Sequence, residues 1–295
     1  MSGIGGIISG MNYSLLFSSN SASTSNIAAS MLSTLYSTSL PSGSATSTGN
    51  PLLDLKIAQT NQTADIAQEA LQPQVSQAIT AFKTAVANST NIQTALMNPD
   101  VQQVLLTANG LSNYIGETAL VQKVLLSDPT DPTSLVNQMA DPTFLSAVQT
   151  YNFGKNGLAE LQNPKVVAAL TNGYAEVQWR QSLDQATPGL ANALTFLSQA
   201  SSIKSSSDIL DNMTNFEVIT TALGIPQQIV NQDNSAQVSA IASKLDYSKL
   251  QDPTYVTSLT DQYLVTMQEQ NQSSSSSSGG TNLFSLAEQS SGLVV

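Results

Sequence analysis

Asn98-Pro99-Asp100-Val101-Gln102-Gln103-Val104-Leu105-Leu106-Thr107-Ala108-Asn109-Gly110-Leu111 is the stretch on which the fold class turns. It opens with a capping side chain followed by proline. Asparagine at a helix N-cap accepts bonds from the free amides of the first turn. Proline suits the first helical position, where its missing N–H is no loss. Val101, Val104, Leu105 and Ala108 then recur at i, i+3, i+4 and i+7, one apolar face of a helix. Gly110 predicts an abrupt stop, because glycine takes up the left-handed conformation that closes many helices.

The same grammar recurs along the chain. Asp131-Pro132, Asp141-Pro142, Asn163-Pro164, Thr187-Pro188 and Asp252-Pro253 repeat the cap–proline pair. Val75, Ile79, Phe82 and Val86 make a second stripe, Leu190, Leu194 and Leu197 a third, and Val238, Ile241, Ala242 and Leu245 a fourth. Sustained strand alternation is absent. The reading is an all-α fold of short helices with sharp starts. Gly224 predicts a second stop. Gly173 interrupts an otherwise continuous pattern from Val166 to Trp179 and predicts close helix packing. Tyr151, Phe153, Tyr174, Phe196, Phe216, Tyr255 and Tyr263 sit mostly on apolar stripes and are predicted core.

Composition excludes several functions. The chain has 295 residues, 20 acidic and 9 basic side chains, a formal charge of −11, no Cys and no His. Nucleic-acid phosphate binding needs a basic face that this balance does not provide. Without Cys there is no disulfide, thiol nucleophile or Cys-type metal site. Without His there is no imidazole base, no Ser-His-Asp triad and no ordinary catalytic zinc. Charged residues are only 10% of the chain, against a usual value of about 25%, so Ser, Thr, Asn and Gln supply the polar surface.

Charge placement divides the chain. No charged side chain occurs from Met1 to Leu53 and no basic one after Lys249. Residues 1–51 read as a flexible uncharged N-terminal segment and 52–271 as the helical domain. Residues 272–295 read as a Ser/Gly linker, Ser273 to Ser278 then Gly279-Gly280, with an apolar tail. Both ends are expected to be disordered. No apolar stretch reaches about 18 residues, so no membrane span is expected. The N-terminus lacks the Lys/Arg region of a secretory signal peptide.

Two segments resemble each other. Thr107-Ala108-Asn109-Gly110-Leu111 matches Thr221-Ala222-Leu223-Gly224-Ile225, and Asp141-Pro142-Thr143-Phe144-Leu145 matches Asp252-Pro253-Thr254-Tyr255-Val256. Glycine and aspartate lie 31 residues apart in the first pair and 28 in the second. This predicts two related helical lobes, an internal repeat over about 90–150 and 205–268.

The order of these pieces resembles an alphaproteobacterial helical domain family of unknown biochemical function, commonly encoded in flagellar gene clusters. The pieces are Gln74 to Phe82, Leu106-Thr107-Ala108-Asn109-Gly110-Leu111 and Ala140-Asp141-Pro142-Thr143-Phe144. They continue with Thr220-Thr221-Ala222-Leu223-Gly224-Ile225-Pro226 and Leu250-Gln251-Asp252-Pro253. The chain departs from that family in having fewer Lys and Arg. The resemblance carries over no catalytic residue; it implies a flagellum-associated role. A Ser, Thr, Asn and Gln surface that is poor in Trp agrees with proteins of the external flagellum.

The expectation is therefore a non-enzymatic structural or assembly protein without cofactors. It would act through contacts with other flagellar proteins or with copies of itself, in the flagellum or outside the cell by flagellar export. The alternative is a cytoplasmic export chaperone or regulator of flagellar subunits. Candidate partner-binding positions are Ile4, Ile8, Met11, Leu15, Ile27, Met31 and Leu35, which keep helical spacing, and Leu283, Phe284 and Leu286 in the tail. The competing reading of the first set is an export leader with incidental hydrophobes.

Enzyme motifs are thin. Ser201-Ser202-Ile203-Lys204 matches Ser-x-x-Lys, but the accompanying Ser-Asp-Asn and Lys-Thr-Gly motifs of penicillin-recognising enzymes are absent. Gly3-Ile4-Gly5-Gly6 fails the dinucleotide-loop pattern. Asp128, Asp131 and Asp141 lack calcium-loop spacing, and two of them read as N-caps. Trp179 and Arg180 are the single Trp and Arg. Trp179 reads as a structural anchor between lobes, and Arg180 as the i+4 ion-pair partner of Glu176.

Overall fold

In the computed structural model, which describes residues 47–139, 141–210 and 212–277, helix α1 (Pro51–Glu69) starts where Asn50 accepts bonds from the amides of Leu52 and Leu53. α2 (Pro73–Asn88), α3 (Ile92–Met97) and α4 (Pro99–Ala108) follow across tight turns. A 3-10 turn at Ser112–Tyr114 leads to α5 (Thr118–Leu125), α6 (Leu135–Gln138) and α7 (Pro142–Tyr151). Two single-turn pieces, α8 (Phe153–Asn156) and α9 (Leu158–Leu161), lead into the long α10 (Pro164–Ala186). Then come α11 (Leu190–Gln199), α12 (Ser206–Leu210), α13 (Met213–Ala222), α14 (Asn234–Ala242) and α15 (Pro253–Ser277), with 3-10 turns after α11, α13 and α14. The fold is all-α, with no strand among the described residues, and these elements belong to one compact unit.

The cap–proline pairs explain many of the starts. Asn98, Asp141 and Asn163 each accept from first-turn amides of α4, α7 and α10. Asp252 accepts from the Thr254 amide at 2.9 Å where α15 begins. Two expected starts are corrected. Asp131 takes the amide and hydroxyl of Thr133 at 2.8 and 2.7 Å, closing its own turn. Such local bonding competes with helix formation, and α6 begins only at Leu135. Thr187 is the C-cap of α10, not the N-cap of the next helix; α11 begins at Leu190 behind Gly189, whose φ is +87°.

Gly110 and Gly224 stop α4 and α13 with φ of +73° and +59°. The closures match bond for bond. Leu111 N–H donates to Leu106 O at 2.8 Å, and Ile225 N–H to Thr220 O at 2.8 Å. Gly110 and Gly224 N–H donate to Thr107 and Thr221 O, each at 3.1 Å. This is the paired closure that a left-handed residue allows. Between the matched glycine and aspartate, the first stretch runs through a 3-10 turn, α5 and α6, the second through α14 with a 3-10 turn on either side of it.

The apolar stripes converge on two core clusters. Phe82, Leu105, Leu106, Phe144, Phe153 and Leu170 belong to one. Trp179, Phe196, Ile219, Ile241, Leu259 and Tyr263 belong to the other. Fully burying a side chain of this size contributes about 1.5–3 kcal/mol. α10 serves both: Leu170, Tyr174 and Ala175 face the first cluster, Trp179 and Leu183 the second. Ile66 of α1 packs against both. Gly173 lets α10 approach α4 closely, since a Cβ there would stand 3.2 Å from Ala108 Cβ. The fourth stripe is only partly as expected: Ile241 and Leu245 are buried, but Ala242 is exposed and ends α14. α15 runs on through Ser277, so residues 272–277 are helical where a linker was expected. A helix already nucleated against the core propagates at little cost per residue.

Candidate functional site

The predicted partner-binding positions Ile4, Ile8, Met11, Leu15, Ile27, Met31, Leu35, Leu283, Phe284 and Leu286 lie outside the described residues. Within them, the polar chemistry gathers at the corner where α10 turns into α11.

The first part of that corner is Asp54, in the opening turn of α1 and only 6% exposed. Oδ1 accepts the Thr48 amide at 2.9 Å and the Thr48 hydroxyl at 2.6 Å. Oδ2 accepts the hydroxyls of Ser47 at 2.9 Å and Thr187 at 2.6 Å. Gln268 of α15 donates to Gly49 O at 3.0 Å. A cleft of about 280 Å³ lies between these parts, lined by Ser47, Gly49, Thr187, Leu264 and Gln268 among others. The sequence reading missed this clamp. Asn50-Pro51 is a further cap–proline pair that marks the start of α1, but it carries no sign of the partners of Asp54.

The second part is the start of α11. Gly189 offers no capping side chain, so Asp184 of α10 reaches across and accepts the Ala191 amide at 2.9 Å. Asn192 donates to Glu217 Oε2 of α13 at 3.1 Å, and the Tyr263 hydroxyl of α15 donates to Oε1 at 3.3 Å. A Cβ on Gly189 would fall 2.8 Å from the Tyr263 hydroxyl, so that residue must stay small. Burial, then the neighbouring charge of Glu217, pushes the Tyr263 phenol well above its usual range.

Arg180 joins this corner. Its guanidinium lies 2.7 Å from Glu176 and donates to Thr195 Oγ1 at 2.9 Å and to Ala191 O at 3.4 Å. Both partners are partly exposed, so the helical pair contributes only about 0.3–0.5 kcal/mol. Trp179 beside it is 3% exposed. Gly110 and Gly224 serve as the helix stops described above.

Other sequence candidates stay apart. Ser201 lies in an exposed 3-10 turn, Lys204 is exposed, and Ser202 donates to Gln199 O at 2.6 Å. Asp128, Asp131 and Asp141 each accept the amide two residues on, within separate turns. Among the described residues no group of three or more carboxylates is placed to hold a metal ion. None of the helices there is long and apolar enough to cross a membrane.

A groove of about 810 Å³ runs along α2, where Gln77, Thr80, Ala81, Thr84 and Ala85 face Thr94 and Asn98. The Thr80 and Thr84 hydroxyls donate to Ser76 O and Thr80 O at 2.8 and 2.9 Å, so they are satisfied within the helix. Leu71, on its lining, is 70% exposed. Met97, Met213 and Val230 are also exposed, by 56%, 77% and 56%.

These features define a helical body whose carboxylates accept hydrogen bonds at helix junctions and which leaves several large apolar side chains exposed. The family model described as "Protein of unknown function (DUF1217)" matches residues 108–256, and the chain belongs to that family. Its fold is similar to the crystal structure of protein AGR_C_984 from Agrobacterium tumefaciens. The TM-score is 0.61 at 19% identity, over 79% of this chain and 99% of that one. No curated protein matches the chain.

Proposed function

We propose that the protein is a non-enzymatic, flagellum-associated structural or assembly component that works by touching other proteins. The observation that carries the contact role is the exposed apolar set Leu71, Met97, Met213 and Val230 on a body whose two cores are already filled. Of these, Leu71 lines the groove along α2, and an apolar side chain left in water at a groove favours a protein partner. The flagellar assignment is supported by the ordered motifs from Gln74 to Pro253 and by a surface of Ser, Thr, Asn and Gln. The same reading takes residues 90–150 and 205–268 as related units, supported by the matched closures at Gly110 and Gly224.

The test is deletion in a motile host that encodes the protein, complemented with wild type or with the double variant Leu71→Glu, Met97→Glu. Deletion is expected to impair swimming. The variant, altered only at exposed positions, is expected to melt like wild type and fail to restore it. Normal swimming after deletion overturns the proposal. Co-purification with monomeric flagellar subunits, with absence from secreted fractions, replaces it with the chaperone role.

A further inference from the structure

One face of α15 walls the cleft beside the Asp54 clamp. Leu264, Gln268, Asn271 and Gln272 recur at i, i+4, i+7 and i+8 and line its space of about 280 Å³. Ala186 and Pro188 line it from the α10–α11 turn, and Pro188 is exposed. The volume falls short of small-molecule pockets, which start at about 300 Å³, and suits side chains of a chain segment. No charged side chain lines it.

We propose that the chain's own tail occupies this cleft: Leu283 and Phe284 fold back past the end of α15 and cover Ala186, Pro188 and Leu264. Reach supports this. From Ser277, where α15 ends, back to Gln272 is about 8 Å along the helix and back to Leu264 about 20 Å, at 1.5 Å per residue. The stretch Ser278 to Leu283, fully extended, spans about 20 Å. Gly279-Gly280 within it permits the reversal, since glycine takes up conformations closed to other residues. Chemistry supports it too. No large apolar side chain occurs between Met267 and Leu283, so Leu283 and Phe284 are the first the chain offers after the core. No charged side chain occurs from Gln270 to Ala287, so neither the cleft nor its occupant brings a charge to be stripped of water. The tether also favours the tail over the N-terminal candidates. Leu35 is joined to Ser47 by about twice as many residues as separate Ser277 from Leu283, and effective concentration falls as a flexible linker lengthens.

The experiment is disulfide trapping in the full chain, which has no Cys of its own to compete. Pro188→Cys is combined with Phe284→Cys, and the pair is oxidised with diamide at low protein concentration. A disulfide needs its two Cα atoms within about 7 Å. The comparison pair is Leu71→Cys with Phe284→Cys, because Leu71 follows the far end of α1, about 28 Å from Pro51. The Pro188 pair is expected to close within one chain about tenfold faster or more. Equal rates for the two pairs overturn the proposal. Disulfide-linked dimers as the main product overturn it in favour of a second copy. Faster closure of Pro188→Cys with Leu35→Cys overturns it in favour of the N-terminal segment. If Pro188→Cys does not fold, Ala186→Cys takes its place.

Discussion

The Thr187 hydroxyl donates a 2.6 Å hydrogen bond to Oδ2 of Asp54, tying the end of α10 to the first turn of α1 across 133 residues of chain. Both residues are 6% exposed. The same carboxylate gathers Ser47 and Thr48, so one side chain fixes the segment before α1, the α10–α11 turn and α1 itself.

Asp54→Asn is expected to lower the unfolding free energy by about 2–3 kcal/mol, since bonds to a charged acceptor contribute about 1.5–3 kcal/mol each and an amide in its place meets donors with a donor. Thr187→Val removes one donor of four and is expected to cost about 1–2 kcal/mol. Urea unfolding midpoints of the two variants check the order.

Gly154 and Gly173 rank by what a methyl group would meet. At Gly154 it falls 2.6 Å from the Leu126 carbonyl oxygen, a backbone atom that cannot yield alone. At Gly173 it falls 3.2 Å from the Ala108 methyl. Gly154→Ala is expected to cost about 1–3 kcal/mol and Gly173→Ala less. Thermal melts of the two side by side test the ranking.

Gly110→Ala and Gly224→Ala each force a Cβ into left-handed backbone, at φ of +73° and +59°. Each is expected to cost about 1–2 kcal/mol. Close agreement between the two in denaturant titrations follows from their identical closure bonds.

Acid acts on four exposed aspartates that accept hydrogen bonds at turns and helix starts. The Thr130 hydroxyl holds Asp128 below its ordinary 3.8, the Lys204 amide does so for Asp208, and the hydroxyls of Ser235 and Ser248 for Asp233 and Asp246. A depressed folded value gives stability that is present above the unfolded value of 3.8 and lost as pH falls below it. The urea midpoint is expected to fall below about pH 4, and Asp233→Asn is expected to flatten that fall.

Helix starts and stops were legible because their chemistry is local. Asn98, Asp141, Asn163 and Asp252 need only their own first-turn amides, and Gly110 and Gly224 only their own backbone. Asp131 and Thr187 misled for the same reason. The pair looks alike in sequence whether the side chain caps a helix, closes a turn or bonds a carboxylate far along the chain. Trp179, Arg180 and Glu176 were readable from i, i+4 spacing, but the bonds of Arg180 to Thr195 and Ala191 were not. The Asp54 clamp and the Asp184–Glu217 junction stayed hidden, because no spacing along the chain announces partners on other helices. The exposed apolar set was equally invisible: Leu71 and Met213 look like core residues until the turns around them are folded.

The most direct test of the contact role in the flagellum is where the protein goes. Fractionation of matched strains with and without a working flagellar exporter should place it with sheared filaments or basal bodies in the first and in the cytosol of the second. Confinement to the cytosol in both strains, with normal swimming when the gene is removed, would contradict the account.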